Sequence, residues 1–137
     1  MKSILAVLLF MLTLNATAPC EDNGEKAASD SANRWLAQVD SGDYASSWKA
    51  AAPLFRQAVS QDQWAQMMRA QRVPLGKVLS RTLKSAVYTT SLPGAPDGQY
   101  VVIVYESSFE HKKSAIETVT PSLGKDGQWK VSGYFIR

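Results

Sequence analysis

The chain of 137 residues holds one cysteine and one histidine. With Cys20 alone no disulfide can close within the chain, so the fold must rest on packing. The lone His111 stands far along the sequence in a stretch of turn composition, which argues against catalytic use of Cys20. No nucleophile and base at working spacing, no zinc pattern, no metal cluster and no phosphate loop is visible, so neither cofactor nor metal is expected. Basic residues are scattered, with Lys112-Lys113 the only adjacent pair and a net charge of +3. A nucleic-acid binder gathers its cations on one stripe, so nucleic acid is not an expected partner. The longest apolar run, residues 4–12, is short of the roughly 20 residues that a membrane span needs.

What is present suits one globular domain. Hydrophobic residues make up 45% and charged residues 20% of the chain, and a domain of this length buries about 65% of the surface its unfolded chain exposes. Lys2, the apolar run and the small residues that follow read as a secretory signal peptide over residues 1–20. The small-x-small pattern at Ala16 and Ala18 marks a cleavage region reaching to Cys20, and it directs the product to the bacterial periplasm or the exterior. A lipid-acceptor cysteine follows a Leu-x-Gly/Ala box, whereas Thr17-Ala18-Pro19 precedes Cys20, so no lipid anchor is expected and membrane contact is confined to the signal segment.

Residues 21–31 carry no bulky apolar side chain and read as a linker, leaving 32–137 as the domain. Ala32, Trp35, Leu36 and Val39 keep the spacing of one buried helical stripe, which Asp40-Ser41-Gly42 ends. Asp43 caps a second helix carrying Tyr44, Trp48, Ala51 and Ala52, and Pro53 interrupts it ahead of a short helical piece. Ser60 and Gln63 form a capping box that opens a third helix with Trp64, Met67 and Met68, stopped by Val73-Pro74-Leu75-Gly76. The tryptophans and both methionines are expected in the core.

From residue 78 onward the pattern changes to strands. Runs at 78–90, 100–109, 114–123 and 128–136 are rich in β-branched and aromatic residues and separated by turn formers, with Pro96-Asp97-Gly98 and Lys125-Asp126-Gly127 the clearest turns. The expected fold is α+β: three N-terminal helices packed on a curved, four-stranded antiparallel sheet.

Side chains alternate across a strand, so the faces can be separated by parity. Leu79, Arg81, Leu83 and Val87 then share a face with Ala115, Glu117 and Val119, and with Trp129, Val131 and Phe135. Buried charges are costly unless paired, so Arg81 and Glu117 are expected to meet as an ion pair. The strand at 100–109 is apolar on both parities. Its outer set, Tyr100, Val102 and Val104, extended by Tyr88, Tyr134 and Ile136, suggests a homodimer through the sheet.

The stretches Arg72-Val73-Pro74-Leu75-Gly76, Arg81-Thr82-Leu83-Lys84-Ser85, Leu92-Pro93-Gly94-Ala95-Pro96-Asp97-Gly98 and Gly127-Gln128-Trp129-Lys130-Val131 resemble an uncharacterised family of small bacterial exported proteins, the domain of unknown function numbered four thousand and nineteen. The order of helices and strands, with Asp43-Tyr44 and Trp48 early on, looks like the NTF2-like or cystatin-like cone. The family resemblance covers nearly all of the chain after the signal segment and implies membership without an activity. Two classes of function follow. One is a non-catalytic periplasmic module that binds a small ligand or an envelope protein, with Arg81, Tyr105 and Glu117 in its cleft. The other is a small enzyme using Glu117 as base with Tyr105 or Arg81 on an oxyanion; a purely structural envelope protein is a further reading.

Overall fold

A computed structural model describes residues 24–137. The expected signal segment, with Ala16, Ala18 and Cys20, lies outside the described residues. The first helix, α1, spans Glu25–Asp40, so most of the expected linker is helical. Ala28 is the reason: it carries the buried stripe of Ala32, Trp35, Leu36 and Val39 one turn further upstream. The chain leaves α1 through Gly42 at φ 80, and the side chain of Asp43 accepts the Ser46 N–H at 3.1 Å to cap α2, Tyr44–Ala50. Pro53, at the start of α3 (Pro53–Ala58), needs no N–H there. The Ser60 and Gln63 capping box opens α4, Gln61–Gln71, in both of its hydrogen bonds. A 3-10 turn, Val73–Leu75, follows. Among the described residues four α-helices therefore replace the expected three, because the break at Pro53 leaves a helix on each side.

The strands β1 (Val78–Thr89), β2 (Tyr100–Phe109), β3 (Lys112–Leu123) and β4 (Trp129–Ile136) form an open antiparallel sheet in sequence order. Strand β3 starts at Lys112, ahead of the expected residue 114, so Glu110 and His111 alone turn the β2–β3 hairpin. The helices cover one face. Trp35, Leu36, Phe55, Trp64 and Met68 pack there against Val101, Ile103, Val119 and Val131. The indole N–H of each helical tryptophan finds an acceptor: Trp35 on the Ser47 carbonyl at 2.8 Å, Trp64 on Ser47 Oγ at 2.9 Å, and Trp48 on the Val59 carbonyl at 2.8 Å. Met67 is not a core residue as expected but 39% exposed on α4.

Three of the four irregularities in pairing overturn part of the parity reading, since one extra residue moves every following side chain to the other face. The shift between Leu83 and Ser85 sets Val87 opposite Val102 and Tyr88 opposite Val101. Val87 therefore faces outward, 56% exposed, and Tyr88 packs on the core. The shift at Thr120/Pro121 leaves Ser132 as the extra residue of β4 and pairs Val119 with Tyr134, Thr118 with Phe135 and Glu117 with Ile136. Tyr134 and Ile136 thus belong to the helix side, and Phe135, expected inside, is 61% exposed on the outer face. Leu79 sits at the third shift, and Leu83 opposes Tyr105 but lies beyond the helices; they are 57% and 52% exposed. Tyr100 keeps its outer parity yet is buried, its hydroxyl donating to the Pro96 carbonyl of its own hairpin. Of the expected outer patch, Val102 and Val104 remain, joined by Val87 and Phe135.

Candidate functional site

Where α1 ends, beside the middle of the sheet, four charged side chains meet. Arg81 on β1 donates from Nε to Glu117 Oε1 at 2.8 Å and from Nη2 to Oε2 at 3.2 Å. Its other edge grips Asp40 through Nη1 at 2.8 Å and Nη2 at 3.0 Å. Arg72, past the end of α4, adds a bond to Asp40 Oδ1 at 2.7 Å and donates to the Gly76 carbonyl at 3.1 Å. Its guanidinium lies 4.2 Å from the centre of the Phe109 ring, a cation over an aromatic face. Two carboxylates and two guanidinium groups thus cancel in charge.

The expected Arg81–Glu117 pair forms because the two residues flank β2 at matching levels: Arg81 opposes Ser107, and Glu117 opposes the neighbouring Tyr105. Glu117 has no exposed surface. Beyond Arg81 it accepts from Ser107 Oγ and from the Tyr134 hydroxyl, each at 2.5 Å, so both oxygens are held twice. Burial pushes the Tyr134 hydroxyl well above the ordinary phenol range and the Glu117 charge pushes the same way, so Tyr134 stays a donor. Burial also raises Tyr105, with Arg81 opposing and Glu117 adding. Burial alone would raise Asp40, but the hydrogen bonds and charges of Arg81 and Arg72 outweigh it and hold the carboxyl below its usual range. For Arg81, burial is outweighed by Asp40 and Glu117, and its charge is fixed.

Tyr105 stands apart from this cluster in its bonding, its hydroxyl donating to Asn33 Oδ1 of α1 at 3.0 Å. The sequence reading thus found Arg81 and Glu117 and missed Asp40, Arg72, Ser107 and Tyr134. Asp40 sits in a turn-forming triplet and gave no sign of a buried role. Ser107 was findable, since the β1–β2 hairpin places it opposite Arg81.

The cavities lie elsewhere. One, about 570 Å³, opens between the α2–α3 junction and the two hairpin loops, with Ala52, Pro53, Leu54, Tyr100 and Leu123 on its apolar wall and Asp97, Lys125, Asp126 and Lys130 among its charged lining. A second, about 480 Å³, runs between α4 and the end of β4. Neither is lined by Arg81, Tyr105 or Glu117. Among the described residues no group of three or more His, Cys, Asp or Glu side chains is placed to hold a metal ion.

Residues 31–134 match the family described as protein of unknown function (DUF4019). No curated protein matches the chain. That match takes in most of the sequence, and the chain belongs to the DUF4019 family.

Proposed function

We propose that this member of the DUF4019 family is an exported, non-catalytic binding module that takes a small, largely apolar ligand in the 570 Å³ cavity. The observation that carries the reading is the state of Glu117: a carboxylate without exposed surface, whose oxygens each accept two hydrogen bonds, has no lone pair free to take a proton from a substrate. The charged cluster then serves as a clamp joining α1, the α4–β1 connection and the sheet. Chemistry of recognition falls to the cavity, whose size is in the range of small-molecule sites, about 300–1,000 Å³, and whose exposed wall is mainly apolar, with Asp97, Lys125, Asp126 and Lys130 among its lining. Its position at the hairpin end of the sheet fits the open end of an NTF2-like cone, and the signal-like start of the sequence supports a periplasmic or secreted location.

The test is a thermal-shift screen of the mature chain against amphipathic metabolites and envelope fragments. A ligand at 100 times its dissociation constant stabilises by about 2.7 kcal/mol, and Leu54→Arg at the cavity wall should abolish that shift while leaving the unliganded melting point nearly unchanged. Turnover of any compound that disappears in a folded Glu117→Gln variant would overturn the non-catalytic reading. For the homodimer, the outer face built from Val87, Val102, Val104 and Phe135 is the surface to consider, because no element of the chain covers it among the described residues. Sedimentation at high concentration tests it, with Phe135→Asp expected to return a dimer to monomer.

A further inference from the structure

The two halves of the β4 edge are treated differently by the fold. Beside α1 and the α2–α3 junction the edge is closed: Ser31 Oγ donates to the Trp129 carbonyl at 2.7 Å and the Ala52 N–H to the Val131 carbonyl at 2.8 Å. Past the extra residue Ser132, nothing in the described chain takes over that work. The direction of the backbone there follows from one pair. Ile116 and Arg137 exchange both of their hydrogen bonds, at 2.9 and 3.0 Å. In an antiparallel ladder such reciprocal pairs alternate with pairs whose groups point away. With the register running unbroken from Glu117↔Ile136 to Thr120↔Gly133, the N–H and C=O of Tyr134 and Ile136 point away from β3, out of the sheet edge.

These outward groups lie along the 480 Å³ groove between α4 and β4. Met67 and Leu75 flank it on the helix side and Phe135 on the outer side, and Met67 and Phe135 are exposed. Its charged lining side chains are Lys112 and Arg137, both exposed and neither in an ion pair within the described residues. The groove therefore combines unpaired strand backbone, apolar flanks and two exposed cationic side chains.

We propose that this groove is a docking site for an extended acidic segment of a partner protein, which adds as a short strand to the open half of β4. Main-chain bonds to Tyr134 and Ile136 supply the pairing, an apolar row of alternate side chains rests on Met67 and Leu75 on the helix side, and carboxylates of the opposite row meet Arg137 on the outer side, with Lys112 also lining the groove. This site is separate from the small-ligand cavity and stands whether or not that cavity is occupied.

The test uses the full mature chain and a fluorescein-labelled ten-residue peptide alternating valine and glutamate, with a valine–lysine peptide of the same length as control. Fluorescence anisotropy should show binding of the glutamate peptide alone, weakening with added salt. Ile136→Pro removes one outward N–H and leaves the β3 ladder intact, and it should weaken binding about tenfold, as loss of one hydrogen bond plus some edge geometry implies. Lys112→Glu combined with Arg137→Glu should reverse the preference toward the lysine peptide. Amide shifts in the NMR spectrum, centred on Tyr134 and Ile136 during titration of the unaltered chain, test the location without any substitution. The proposal is overturned if the glutamate peptide does not bind at millimolar concentration, if both peptides bind equally, if the shifts map elsewhere, or if a second copy of the chain occupies the edge, seen as self-association lost in Ile136→Pro.

Discussion

Asp40 closes α1 with a carboxylate that is about four-fifths buried and takes bonds from two arginines. Its charge is retained because Arg81 and Arg72 outweigh the cost of burial, so its folded pKa lies below its unfolded value of about 3.9. The linkage follows in sign: with fewer protons bound in the folded state, Asp40 contributes stability above about pH 4 and loses it as pH falls through the depressed folded value. Asp40→Asn should therefore destabilise the chain at pH 7, and the gap between variant and parent in urea unfolding should narrow toward pH 3. A gap that stays constant with pH would remove Asp40 from the clamp. Removing one member of the buried pair is harsher, since Glu117→Ala leaves Arg81 without its buried carboxylate, a loss on the order of 3–5 kcal/mol. At this scale the sequence disclosed the Arg81–Glu117 pair because ionisable residues are conspicuous in apolar strands. Asp40 and Arg72 escaped because a charged residue at a helix end is ordinarily solvated, and only tertiary approach, of Arg81 on β1 to Asp40 and of Phe109 on β2 to Arg72, buries these two.

Elements were legible to the extent that they depend on local chemistry. The capping box of α4, the proline at the start of α3 and the turn residues between strands each act within a few residues, and the structure places those boundaries close to where composition puts them. Faces were legible as far as Lys84 on β1 and Ser132 on β4. Past Lys84 on β1 and Ser132 on β4 the alternation restarts with opposite sense, and no residue type marks the site, because a bulge is fixed by the pairing of two strands and not by one. Ser132 offers the sharper test. Its hydroxyl makes a short contact with that of Ser122, so Ser132→Ala should cost about 1 kcal/mol in urea unfolding. Deleting Ser132 closes the bulge, and because Gly133 then follows Val131 in plain alternation, Tyr134 and Ile136 keep to the helix side. That deletion should preserve cooperative unfolding and the near-ultraviolet dichroism of the aromatic group around Trp35, Trp64 and Tyr134. Deleting Gly133 as well turns Tyr134 and Ile136 outward and Phe135 inward, takes the Tyr134 hydroxyl from Glu117, and should abolish both. If the double deletion behaves like the alanine variant, β4 tolerates either register and its pairing with β3 does not set its face.

Across the whole molecule, the helices sit unevenly on the sheet. Strand β2 has paired neighbours on both sides and alternates buried with half-buried residues over most of its length. Strand β1 is an edge, most of its residues are exposed, and Leu79, Leu83 and Val87 project beyond the helical cover. Local opening is easiest where apolar contacts are few and backbone bonds meet water, so protection should grade across the sheet instead of being uniform. In native-state hydrogen exchange, amides of β2 and β3 should exchange only through global unfolding. Those of β1 from Val78 to Leu83 should exchange faster by local release, with the exception of the region clamped by Arg81, whose four contacts to Asp40 and Glu117 hold the strand to α1 and β3. Arg81→Met should extend the fast-exchanging segment along β1 while leaving β2 and β3 tied to global unfolding. If that variant lowers protection equally in all four strands, the clamp stabilises the entire fold and not the attachment of its exposed edge.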